Sequence, residues 1–136
     1  MRFQPQIFDH QDRVHVLILQ GEHDQLDFKQ TISSQEKIAR TLAAFANGNG
    51  GSILVGVNDG GAIVGCDAEQ EMYMLHEAAE HFCDPPVDLD FILHEENDKT
   101  VVEAKVKKSL KKPHLAQDDH DIWKIYVRKD DKTMFI

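Results

Sequence analysis

Hydrophobic and polar positions change period several times along this chain, and each change marks an element. Residues 1–13 are polar with scattered aromatics and have no regular period, which predicts an N-terminal arm ahead of one domain over 14–136. From Arg13 to Gln20 the β-branched and aliphatic residues favour a strand, while Val14, Leu17 and Ile18 also fit one helical face, so the type stays open. Leu26 and Phe28 then alternate with Asp27 and Lys29, as in a half-buried strand with Asp27 and Lys29 on one face. Ser33-Ser34-Gln35-Glu36 has the form of a capping box between Ser33 and Glu36. Ile38, Leu42, Phe45 and Ala46 continue it as one apolar helical stripe that ends at Asn47-Gly48.

Ser52 to Val57 is a short unbroken apolar run between glycines, which predicts a strand buried on both faces at the centre of a sheet. Asn58-Asp59-Gly60-Gly61 suits a tight type I′ turn, with Ala62 to Gly65 as the return strand. Met72, Leu75, Ala79 and Phe82 recur at helical spacing from Asp67 or Ala68 to about Cys83, where Pro85-Pro86 stops the helix. Two alternating runs, Val87 to His94 and Thr100 to Lys107, flank an Asn97-Asp98-Lys99 turn as a hairpin, and Ile122 to Arg128 reads as the last strand. Strands and helices interleave without a strict βαβ beat. The class is therefore α+β: a mostly antiparallel or mixed sheet of about five to six strands with two main helices on one face.

Composition narrows the functional classes. At 136 residues, 41% hydrophobic and 29% charged, the chain can bury an ordinary core. No apolar run is long enough to span a bilayer and the first residues lack a signal-peptide plan, so the reading is a cytoplasmic protein without a membrane partner. Cys66 and Cys83 are too few and too far apart for a disulfide framework or a closed zinc site, and His76 and His81 point to different sides of a helix. The net charge of −9 argues against indiscriminate binding to polyanions. One local exception is Lys105, Lys107, Lys108, Lys111 and Lys112, five lysines in eight residues, which also suit a plain solvated loop.

Four of the 8 glycines lie between Ala43 and Asp59. Gly48-x-Gly50-Gly51 has neither P-loop nor dinucleotide spacing, and it follows a helix and precedes a strand, the reverse of what a phosphate cradle needs. No ATP or NAD cofactor is expected. Glu22, Asp27 and Asp59 each flank a turn or strand edge. If they converge beside Lys29 they could hold Mg²⁺ or Mn²⁺ and activate a water against a phosphodiester. The same residues also read as a turn former and surface charges.

Glu22-x-x-x-x-Asp27-Phe28-Lys29, Ala44-Phe45-Ala46-Asn47 before Gly50-Gly51, Leu54-Val55-Gly56-Val57-x-Asp59 and Ile63-x-Gly65 together resemble the Schlafen/AlbA-like domain family. Lys112-Pro113 and Tyr126-Val127-Arg128-Lys129 are similar to the family's closing strand. The resemblance implies helices on one face of a mostly antiparallel sheet and a nucleic-acid-related role, commonly as a transcriptional regulator or helicase-related protein. It implies nucleic-acid contacts at the lysine run, Arg128 and Lys129, and a homodimer that rebuilds a two-lobed groove. An alternative it implies is a metal-dependent endoribonuclease with Glu22, Asp27 and Asp59 as Mg²⁺ or Mn²⁺ ligands and Lys29 as an electrostatic aid. Asp27 stands where the family usually has glutamate. A third reading is a non-catalytic interaction module.

Overall fold

The computed structural model describes residues 6–8 and 11–136, and along them strands and helices alternate irregularly. In chain order they are β1 (Gln6–Phe8), α1 (Gln11–Gln20), β2 (Leu26–Lys29), α2 (Gln35–Asn47), β3 (Gly51–Val55) and α3 (Ala68–His81). They continue with β4 (Cys83–Asp84), β5 (Asp90–Glu96), β6 (Lys99–Val106), β7 (Leu115–Gln117), β8 (Trp123–Lys129) and β9 (Lys132–Phe135). The class is α+β, with a five-stranded mixed sheet in the order β1-β5-β6-β3-β2 and a second, four-stranded sheet in the order β4-β7-β8-β9. In the first sheet β2 runs parallel to β3, and β3, β6 and β5 are successively antiparallel.

Side-chain alternation divides the first sheet between two cores. Ile53, Val55, Val102 and Ala104 face α2 and α3, whereas Leu26, Phe28, Leu54 and Val101 join Val14 of α1 on the other side. The strand favoured over Arg13–Gln20 is thus a helix, α1, because one apolar face with Val14, Leu17 and Ile18 covers an otherwise bare sheet surface. Helices consequently lie on both faces of this sheet. Of the segment read as an arm, Gln6–Phe8 pairs with β5 and Gln11 opens α1, while 1–5 and 9–10 lie outside the described residues.

Helix α2 lies between the two sheets, touching β3 and β6 on one side and β7 and β8 on the other. Its buried residues accordingly run without a break from Thr41 to Ala46, more than a single stripe, and the three alanines among them let both sheets approach. It starts one residue later than the expected box. Ser34, extended at φ −143°, is the N-cap and its hydroxyl accepts from the Lys37 N–H, so the third helical residue is a lysine and Glu36 cannot reciprocate. Gly48 caps the other end, as its position predicts.

Strand β3 is interior and buried but lies next to the edge strand β2, and β6 occupies the centre. The turn after it is not type I′. The Asn58 side-chain oxygen accepts from the Gly60 and Ala62 N–H groups, and the expected return strand is reduced to one bridge, Val57 to Ile63. Positive φ at two consecutive central residues occurs instead in the β5–β6 hairpin, at Asn97 (49°) and Asp98 (63°).

Candidate functional site

Edge strand β2 organises the predicted acidic residues. In parallel register Asp27 lies beside Ile53 and Lys29 beside Val55, so both side chains share the α2 face, as their alternation predicts. Asp27 is buried, whereas the Lys29 side chain is partly exposed, with its Nζ 3.6 Å from Asp27 Oδ2. Glu22 reaches the free edge of β2, where its Oε1 accepts from the Phe28 N–H at 2.8 Å, and it contacts the Asp27 carboxyl. Burial pushes the Asp27 carboxyl up to about 6; Lys29 and Arg128 pull against the rise, and Glu22 adds to it.

Asp59 does not join them. It is exposed on the Asn58 turn, which leans on α1 through Gly61 and Ile18, whereas Asp27 faces α2. Among the described residues no group of three His, Cys, Asp or Glu side chains could hold a metal ion, and the predicted three-carboxylate ligand set is not assembled.

The basic residues separate into two kinds. Arg128 is inward-facing: its Nη2 donates to the carbonyls of His23 (2.7 Å) and Leu26 (3.3 Å), its Nη1 donates to Thr133 Oγ1 (3.2 Å), and its guanidinium lies 5.0 Å from the centre of the Phe45 ring. It welds the β8–β9 hairpin to the loop before β2. Lys105, Lys107, Lys108, Lys111, Lys112 and Lys129 are exposed, and Lys107 makes a loose contact with Asp90 at 3.9 Å.

Contacts fix the lysines of the 107–112 segment beside the end of α2. The 107–112 loop is fixed to the end of α2 by the Ser109 N–H bond to the Ala46 carbonyl and by Lys112 Nζ on the Asn47 carbonyl. Gly50 packs against the backbone at Val106 and Lys108. The Asn49 carbonyl accepts from Gln25 Nε2, and the same β2 entry loop is held by Arg128, next to Lys129. The glycine turn therefore lies between the lysine loop and the entry to β2.

Polar residues that bridge distant elements complete the frame. Asn47 Nδ2 donates to the carbonyls of His114 and Tyr126 while its Oδ1 accepts from the His114 N–H, so one side chain ties α2 to β8 and to the start of β7. Glu71 of α3 accepts from Thr31 Oγ1 and the Ile32 N–H, fixing the β2–α2 loop. Glu103, on the central strand, meets Arg13, His94 Nε2 and Ser52 Oγ. Burial raises its pKa, but the hydrogen bonds from His94, Arg13 and Ser52 together outweigh this and hold the carboxyl at about 2. In sequence, Glu103 is one polar residue in an alternating strand, and two of its three partners lie 51 and 90 positions away.

Residues 22–135 match the family described as Schlafen, AlbA_2. No curated protein matches the chain. Its fold is similar to the crystal structure of the DIP2311 protein from Corynebacterium diphtheriae, with a TM-score of 0.57 and 20% identity over 83% of this chain and 22% of that one. It is also similar to the solution structure of the N-terminal domain of a putative ATP-dependent DNA helicase RecG-related protein from Nitrosomonas europaea. There the TM-score is 0.54, with 20% identity over 74% of each chain. At that identity the likenesses establish the fold, and this chain spans under a quarter of the first protein. No helix among the described residues is long and apolar enough to cross a membrane.

Proposed function

The chain belongs to the Schlafen AlbA_2 family, and on that premise we propose that it is a nucleic-acid-binding domain. The observation that supports the reading is the attachment of the loop carrying Lys107, Lys108, Lys111 and Lys112 to the end of α2 and the Gly48–Gly51 turn. Ammonium groups on one end of a molecule of net charge −9 supply a local field for phosphates while the remainder repels them. Such binding is weak, salt-sensitive and suited to a regulatory or nucleic-acid-processing assembly. A homodimer joining two such ends into one groove raises the affinity by avidity, and light scattering with and without nucleic acid measures it.

Fluorescence anisotropy with labelled duplex DNA and RNA at low salt tests the reading. Binding that weakens steeply as salt rises supports it, and the absence of binding to either polymer overturns it.

The endoribonuclease reading is favoured by the buried Asp27 carboxyl beside Glu22 and Lys29. Against it, no three His, Cys, Asp or Glu side chains among the described residues are grouped to hold a metal ion. Structured RNA incubated with Mn²⁺ or Mg²⁺ is expected to stay intact. Cleavage that disappears in Asp27→Asn would transfer the conclusion to the nuclease.

A further inference from the structure

The lysine loop carries an apolar residue that the electrostatic reading leaves unused. Leu110 is 100% exposed, the most exposed large hydrophobic side chain among the described residues, and it sits between Lys107-Lys108 and Lys111-Lys112. A single exposed leucine needs no explanation by itself. This one is held out by a braced turn. The Ser109 N–H bonds the Ala46 carbonyl at 3.1 Å, Ser109 Oγ accepts from the Lys111 N–H at 2.9 Å and lies 2.6 Å from His114 Nε2. That imidazole is itself buried, with Nδ1 2.7 Å from the Pro85 carbonyl. The residues on either side of Leu110 are thus pinned to the body of the protein while its side chain stands in water.

We propose that this loop is a wedge for duplex DNA, in which Leu110 enters the minor groove and pries a base step while Lys108 and Lys111 hold the flanking phosphates. The proposal rests on the nucleic-acid-binding reading and adds where and how the duplex is gripped. Apolar side chains inserted between base steps unstack and kink DNA, and cations beside them add affinity for the flanking phosphates. Lys108 and Lys111 form no ion pair among the described residues and remain available for that. An anionic membrane would also attract a basic loop, but one leucine buries little area there.

The test uses the full chain and a short duplex with a central flexible TA step, carrying end-to-end energy-transfer dyes and a 2-aminopurine at the step. Wild type is expected to raise both transfer efficiency and 2-aminopurine fluorescence. Leu110→Ala, fully exposed and so harmless to folding, should keep most of the affinity and lose most of both signals, while Leu110→Phe retains them. Lys108→Gln with Lys111→Gln should flatten the salt dependence by about two in log–log slope and still bend the DNA at saturation. A wild type that saturates the duplex without either signal, or a Leu110→Ala variant that keeps both, overturns the wedge and leaves the binding reading standing. No binding to any nucleic acid sinks both. Leu110-dependent binding to phosphatidylserine vesicles in place of DNA overturns the wedge in favour of a membrane.

Discussion

Asp27 shows how one residue can work against the fold that holds it. Its carboxyl stands at about 6 in the folded chain against 3.8 for the free group, chiefly through burial. Across that interval the folded state binds more protons than the unfolded one, so this group's contribution to stability is greatest below pH 4 and is lost as pH rises towards and past 6. A shift of about two units corresponds to about 3 kcal/mol. Asp27→Asn, which mimics the protonated form, is expected to be more stable than wild type at pH 7 by about 1–3 kcal/mol and to match it near pH 4. Urea unfolding of both proteins at the two pH values measures the difference. Equal stability at both would show that the buried carboxyl carries no strain. Glu103 has the opposite sign: its carboxyl is held at about 2, so its contribution is complete above pH 4.5 and is lost as pH falls towards 2. Glu103→Gln removes the buried charge that Arg13 meets, and should cost about 3–5 kcal/mol, with hydrogen exchange accelerating first in α1.

Among the elements, the glycine turn and the end of α2 carry most of the positioning. Gly50 has φ +83°, and a Cβ there would lie 2.5 Å from the Val106 carbonyl oxygen and 3.0 Å from the Lys108 nitrogen. Gly50→Ala is therefore expected to destabilise by at least about 2 kcal/mol in thermal or urea unfolding and to displace the lysine loop. Asn47→Ala removes three hydrogen bonds that join α2 to the β7–β8 side and should cost about 2–4 kcal/mol. Neither the glycines nor the asparagine carry charge; they fix the segment that carries the lysines. Much of this level was legible in the sequence: the α2 stripe, the Gly48 cap, α3, the β5–β6 hairpin and β8 all follow from period and punctuation. The second sheet was not, because β4, β7 and β9 span only two to four residues, too few for a period to emerge. Helix α1 was ambiguous for a different reason. Its β-branched residues favour a strand locally, and the sheet surface it covers is built from residues far along the chain. Asp59 illustrates the limit for the site: it follows the strand that pairs with the one carrying Asp27, but where its carboxylate goes depends on the path of the Asn58 turn, which the spacing does not give.

At the scale of the molecule, an acidic protein gathers exposed lysines at one end through the packing of α2 between two sheets. The arrangement predicts a sharp division of variants: charge changes in the 107–112 loop and at Lys129 should alter binding, whereas Asp59→Ala on the far turn should leave binding and stability as they are. The central claim is that this end binds nucleic acid through its lysines. It is tested most directly by the slope of log affinity against log salt, measured by anisotropy between about 25 and 200 mM salt, for wild type and for the Lys108→Gln, Lys111→Gln, Lys129→Gln triple variant. The account predicts measurable wild-type binding with a steep negative slope and a variant whose slope is shallower by about three. Identical slopes for the two proteins, or no wild-type binding at the lowest salt, would contradict it.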